Sequence, residues 1–106
     1  MQVTIPHQLA KEAAIAQVKK MLDEARPKAA EQQLVITEER WEDNVLHFDL
    51  SAQGQRISGT FTVEDHTFDL NAKLPLMMRM FEGRIKKMIE EQTAQALNGG
   101  RVGNEN

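Results

Sequence analysis

The apolar residues of this chain change their spacing twice, from helical to alternating and back to helical. That double switch restricts the fold more than any other feature. Ala14, Ile15, Val18, Met21, Leu22 and Ala25 recur three and four residues apart, which makes one stripe of an α-helix between Pro6 and Pro27. The period then becomes two. Leu34 and Ile36 form one set, Leu46, Phe48 and Leu50 a second, Ile57, Gly59, Phe61 and Val63 a third, and Phe68, Leu70 and Ala72 a fourth. These segments predict four half-buried strands. They are joined by Glu42-Asp43-Asn44, Ser51-Ala52-Gln53-Gly54 and Glu64-Asp65-His66. Connections this short join antiparallel neighbours, because a parallel crossover needs a dozen or more residues. From about Pro75 to Leu97 the helical period returns, through Met77, Phe81, Arg84, Ile85, Met88, Ile89, Gln92 and Ala96.

The predicted class is therefore α+β: a helix, a four-stranded antiparallel meander, then a second helix. The prolines punctuate this reading, with Pro6 before the first helix, Pro27 after it and Pro75 opening the second. One sheet face is apolar and the other carries His47, Asp49, Ser58, Thr60, Thr62, Asp69 and Asn71. The apolar face needs a cover, so both helices are expected on it in a two-layer sandwich. Residues 1–97 form one domain in this reading. Residues 98–106 read as a disordered polar tail, with Gly99 as the helix cap.

Several function classes are excluded or disfavoured. The 106 residues contain no cysteine, so disulfides, thiolate metal sites and cysteine nucleophiles are absent. A net charge of −3 disfavours nucleic acid as a partner. Residues 31–73 carry nine acidic and three basic side chains, so the meander is the acidic part. No apolar run reaches the length of a transmembrane segment, and Met1 to His7 lacks the pattern of a signal peptide, which predicts a cytoplasmic protein.

Catalytic and metal chemistry find little footing. His47 and Asp49 share a strand face at i, i+2, but zinc takes three or four ligands, and the other histidines are His7 and the turn residue His66. No metal and no cofactor are expected. Glu38, Glu39, Glu42, Asp43, Glu64 and Asp65 fall in turns and edges, where carboxylates serve backbone and solubility needs. There is no glycine-rich phosphate loop and no G-x-S-x-G elbow. The residues favour a non-enzymatic protein and name no catalytic group.

Two other groups stand out. In Leu74 to Phe81, six of eight residues are large and apolar, and they do not keep to one helical stripe: Leu76, Met80 and Arg84 face differently from Met77, Phe81 and Ile85. One stripe packs on the sheet; the first helix or a partner must cover the other. The candidate contact residues are Leu76, Met77, Met80, Phe81 and Arg84, with Arg79, Lys86 and Lys87 nearby, facing a protein, a second copy, or a hydrophobic surface, and a homodimer through the polar sheet face or an edge strand is a further reading. Gly83 is read as a point of close helix contact. The competing reading is a small apolar-ligand binder or enzyme, with a pocket between sheet and helices lined by Trp41, Phe48, Phe61 and Phe68. Trp41 itself either closes the core edge or anchors a partner.

Landmarks spread over about residues 3–97 add a family lead. They are His7-Gln8-Leu9 with Glu12-Ala13, then Trp41, Leu46-His47-Phe48, Gly54, Ile57-Ser58-Gly59 and Val63-Glu64-Asp65, and last Leu74-Pro75-Leu76 with Ile85 and Ile89-Glu90. In this order and spacing the chain resembles the polyhydroxyalkanoic acid (PHA) system, or PHA granule-region, family of small proteins. It departs from that pattern at Glu42-Asp43-Asn44, where the family suggests a Gly-Asp turn. The resemblance implies a role in PHA storage metabolism, at or near the granule surface. It implies no catalytic residues.

Overall fold

The computed structural model describes residues 1–105, with side chains through residue 95. In chain order the elements are β1 (Gln2–Pro6), α1 (Lys11–Glu31), β2 (Val35–Glu42), β3 (Val45–Ala52), β4 (Gln55–Val63), β5 (Thr67–Lys73), α2 (Leu76–Arg79) and α3 (Glu82–Glu105). The α+β class and the four predicted strands are present. The sheet, however, has five antiparallel strands in the order β1-β5-β4-β3-β2. The added strand is β1. Its Val3 and Ile5 alternate with Gln2 and Thr4, and they lie opposite Leu70 and Phe68 of β5. Five residues carry too short an alternation to announce a strand, and this one is stabilised by a partner about 65 residues away in sequence. Pro6 closes it at an edge, where a missing N–H is tolerated.

Helix α1 links the two edge strands, β1 and β2, across the sheet. A helix of 21 residues spans roughly 30 Å, enough to cross five strands spaced about 4.8 Å apart. Contrary to the sequence reading, α1 does not stop before Pro27; it runs to Glu31. Pro27 cannot donate to the Asp23 carbonyl, but both residues are exposed, so water can satisfy that carbonyl. The actual stop is a Schellman motif. Leu34 N–H donates to Ala29 O (2.9 Å) and Gln33 N–H to Ala30 O (3.1 Å), with Gln33 at φ 60° where glycine is usual.

Two tight turns set the meander's register. Gln53 and Gly54 both have positive φ (52° and 77°), the type I′ geometry that matches strand twist. Asp43 has φ 54° in the preceding turn, and Asn44 Nδ2 donates to Val63 O (2.7 Å). Strand β2 contains a bulge between Ile36 and Glu38. The extra residue, Thr37, switches the face on which later residues fall, so Trp41 sits opposite Leu46 on the apolar side.

The core lies on that apolar face. Val3, Ile5, Val63, Phe68, Leu70 and Ala72 from the sheet meet Ala14 and Val18 of α1, and Ile89 of α3 packs against the same cluster. Burial is uneven. The β1-β5-β4 side is closed, whereas Phe48, Leu50, Ile57 and Trp41 toward β2 are half-buried. Burying each large side chain stabilises by roughly 1.5–3 kcal/mol, so the β1 side carries most of the stability.

His7 fastens β1 to the β4–β5 loop. Its N–H donates to His66 O (2.8 Å), and its buried ring stacks 4.5 Å from Phe68. Leu9 N–H donates to Nδ1 (3.1 Å), so Nε2 carries the proton and donates to Glu64 O (2.9 Å).

The second predicted helix is in fact two helices. Pro75 caps α2, and Phe81 N–H bonds back three residues to Met78 O (3.0 Å), which tightens the chain before α3 begins. Ile85 N–H then donates to Phe81 O (2.9 Å). The tail expected to be disordered at 98–106, with its cap at Gly99, lies outside the residues whose side chains are described.

Candidate functional site

Leu74 is buried at the end of β5, and Pro75 then turns the chain away from the core. The following turn has little sheet beneath it, and its apolar side chains stay outside. Leu76 is 76% exposed, Met77 71%, Met80 84% and Phe81 52%. Arg84 is exposed one turn further on, and Met88, seven residues after Phe81, is 54% exposed on the same side of α3. The inward side of this region is Met78, Ile85 and Ile89, all half-buried. The five residues singled out in the sequence, Leu76, Met77, Met80, Phe81 and Arg84, are therefore all at the surface. Gly83 makes no close contact: a Cβ built there meets nothing within 4 Å, so the close-packing expectation is corrected.

The four aromatic candidates behave differently. Phe68 is 1% exposed, and its ring lies 5.5 Å from that of Phe61. Phe48, Phe61 and Trp41 pack against the same core. Lys19 of α1 places its ammonium 5.3 Å from the centre of the Trp41 ring, a cation–π contact that ties α1 to β2. Arg26 of α1 also reaches β2, where it pairs with Glu39. The four aromatics fill space as core packing. Two open surface cavities, of about 710 and 600 Å³, are lined by other residues and by none of these four.

On the uncovered sheet face, His47 and Asp49 each have a partner. His47 Nε2 lies 2.8 Å from Glu42, and Arg40 lies 3.0 Å from the same carboxylate. The Arg40 guanidinium, and secondarily His47, holds the Glu42 carboxyl below its usual range. Asp49 is buried and accepts both ends of an Arg56 fork, Nε lying 2.9 and 2.8 Å from its two oxygens and Nη2 bonding to Oδ2. Thr37, the bulge residue, donates to the Asp49 carbonyl (3.0 Å). This ion pair was not legible as a pair in the sequence. Its signal is the type I′ turn, which sets Asp49 opposite Ser58 and so puts Arg56 on the diagonal of the same face.

The Arg56 fork, as the largest cause, holds the Asp49 carboxyl below the ordinary aspartate range. A carboxyl depressed on folding adds stability above its unfolded pKa of about 3.9 and loses it as pH falls through the folded value. Urea midpoints measured from neutral to strongly acidic pH should fall along this limb. Arg56→Gln should lower stability at neutral pH and flatten the limb. Parallel curves for both proteins would contradict the assignment.

A family model described as "Putative polyhydroxyalkanoic acid system protein" matches residues 1–97. The chain belongs to this family. No curated protein and no solved structure matches it. The residues that carried the resemblance have structural duties in this PHA-system protein. His7 clamps β1, Gly59 lets β4 and β5 approach, Trp41 closes the core edge under Lys19, and Leu74-Pro75-Leu76 ends the sheet and starts α2. Among the described residues, no three metal-ligating side chains converge, and no helix is long and apolar enough to cross a membrane.

Proposed function

We propose that this PHA-system protein is a cytoplasmic, non-enzymatic accessory protein that docks on the hydrophobic surface of polyhydroxyalkanoate granules through α2 and the start of α3. One observation carries the reading: Leu76, Met77, Met80 and Phe81 project together into solvent at the point where the chain leaves the core. A contiguous apolar patch on a small protein marks a contact surface. Methionine suits an irregular partner, because its unbranched, polarisable chain adapts to the shape it meets. The polyester in the family's description is an apolar solid, and Arg84 at the patch rim can reach its ester carbonyls.

Co-sedimentation with poly(3-hydroxybutyrate) particles tests the proposal. The wild type should pellet with the particles. Each large side chain removed from an apolar contact costs roughly 1.5–3 kcal/mol, so Leu76→Ser/Met80→Ser/Phe81→Ser should weaken binding at least about tenfold. Equal pelleting of both proteins, or none by the wild type, would refute docking by this patch. Self-association that rises with concentration and disappears in the triple variant would assign the patch to a second copy instead.

A further inference from the structure

Sulfur is concentrated at the docking patch. The chain has six methionines and no cysteine, so thioethers are the only sulfur an oxidant can meet. Met77, Met80 and Met88 are exposed, and Met80 is the most exposed of the large apolar side chains described. The other three are half-buried: Met1 packs against the core, Met21 lies on α1 and Met78 is on the inward side of α2. Burial thus sorts the methionines into an accessible set and a shielded set. The accessible set lies where Leu76 and Phe81 also project.

A peroxide transfers one oxygen to a thioether. A sulfur lone pair forms the S–O bond, the O–O bond breaks, and the other oxygen leaves as water, or as an alcohol from an organic hydroperoxide. Sulfur loses two electrons and the peroxide gains them. The sulfoxide is polar and accepts hydrogen bonds from water. A polyester carries acceptors and no donors, so a sulfoxide pressed against it gives up that water with nothing in exchange. Oxidation removes the apolar, adaptable character that suits methionine to the patch. A sulfoxide reductase reverses the step: two thiols supply two electrons and two protons, the oxygen leaves as water and a disulfide forms in the reductase.

We propose that Met77, Met80 and Met88 form a modification site, at which peroxide makes sulfoxides and so releases the protein reversibly from the polymer surface. This switch rests on the docking reading above and adds its regulation.

Treatment with dilute hydrogen peroxide tests it, with sites read by peptide mass spectrometry and pelleting with poly(3-hydroxybutyrate) particles measured before and after. Sulfoxide should accumulate at Met77, Met80 and Met88 well before Met21 and Met78, because peroxide must reach the sulfur. Binding should fall at least about tenfold. The urea midpoint should hold, since the three side chains are exposed. Sulfoxide reductases for both epimers, with dithiothreitol, should restore binding. Met77→Leu/Met80→Leu/Met88→Leu, compared with its own untreated sample, should be insensitive to peroxide. Earlier oxidation at Met21 or Met78, unchanged pelleting of the oxidised wild type, or an equal loss in the leucine variant would overturn the switch and leave docking intact. Absence of pelleting by the untreated wild type would refute docking and the switch together.

Discussion

Gly59→Ala should lower the unfolding free energy by about 3 kcal/mol or more, a large fraction of what holds a domain of this size together. β4 is hydrogen-bonded on both sides, to β3 and β5. A Cβ at position 59 would lie 1.9 Å from the Asn71 carbonyl oxygen, and 2.9 Å from both the Asn71 carbonyl carbon and the Ala72 Cα. All three are backbone atoms, so no rotamer change can relieve the clash; the strands themselves must part. Gly83→Ala is the matched control. Its Cβ meets nothing, and it sits in a helix, where alanine is favoured by up to about 1 kcal/mol over glycine. Urea denaturation should therefore move the two midpoints in opposite directions. A Gly59→Ala midpoint within experimental scatter of the wild type would show that the close β4–β5 approach is wrong.

Those two glycines illustrate where sequence pattern stops informing. Gly59 reads as one more small residue in an alternating strand, and Gly83 as a contact point in a helix. The structure reverses the roles, because the space around a glycine depends on register and helix placement, which neighbours in sequence do not report. What pattern does report is local. The β2–β3 and β3–β4 hairpins were legible because alternation and turn residues act over a few positions. β1 was not, since its five residues are held by the far end of the sheet. The bulge at Thr37 did leave a trace: Ile36 and Trp41 are an odd number apart, and both face the core only if one residue is added between them. The split into α2 and α3 left none, because Leu76 to Ile89 keep helical spacing throughout.

The candidate site was legible for a related reason. Two apolar stripes on one short segment exceed what a single sheet face can cover, and that excess is visible without coordinates. Which stripe stays outside is a tertiary fact. It depends on α1 being tied to β2 by Lys19 on Trp41 and Arg26 on Glu39, and so unavailable to cover Leu76 and Met80. The buried Asp49 and its Arg56 fork were missed because charge, read along the chain, suggested only a solvated face.

Phe68 and Phe81 give the sharpest contrast between stability and function. In sequence both are phenylalanines within apolar periodic segments. Phe68 is 1% exposed, stacks on His7 at 4.5 Å and meets Phe61 at 5.5 Å. Phe68→Ala removes this packing and leaves a cavity among Ile5, Val63 and Leu70, so it should destabilise by about 3–5 kcal/mol. Because β1 and the His7 clamp rest on this ring, amide hydrogen exchange should rise first at Val3 and Ile5. Phe81 is 52% exposed and lies outside the buried core cluster. Phe81→Ala should shift stability by less than about 0.5 kcal/mol and yet reduce binding to poly(3-hydroxybutyrate) particles. A stability loss at Phe81 comparable to that at Phe68 would mean that Phe81 belongs to the core, and the docking surface would lose its central aromatic residue. Loss of particle binding at unchanged stability is the outcome that only a working surface produces.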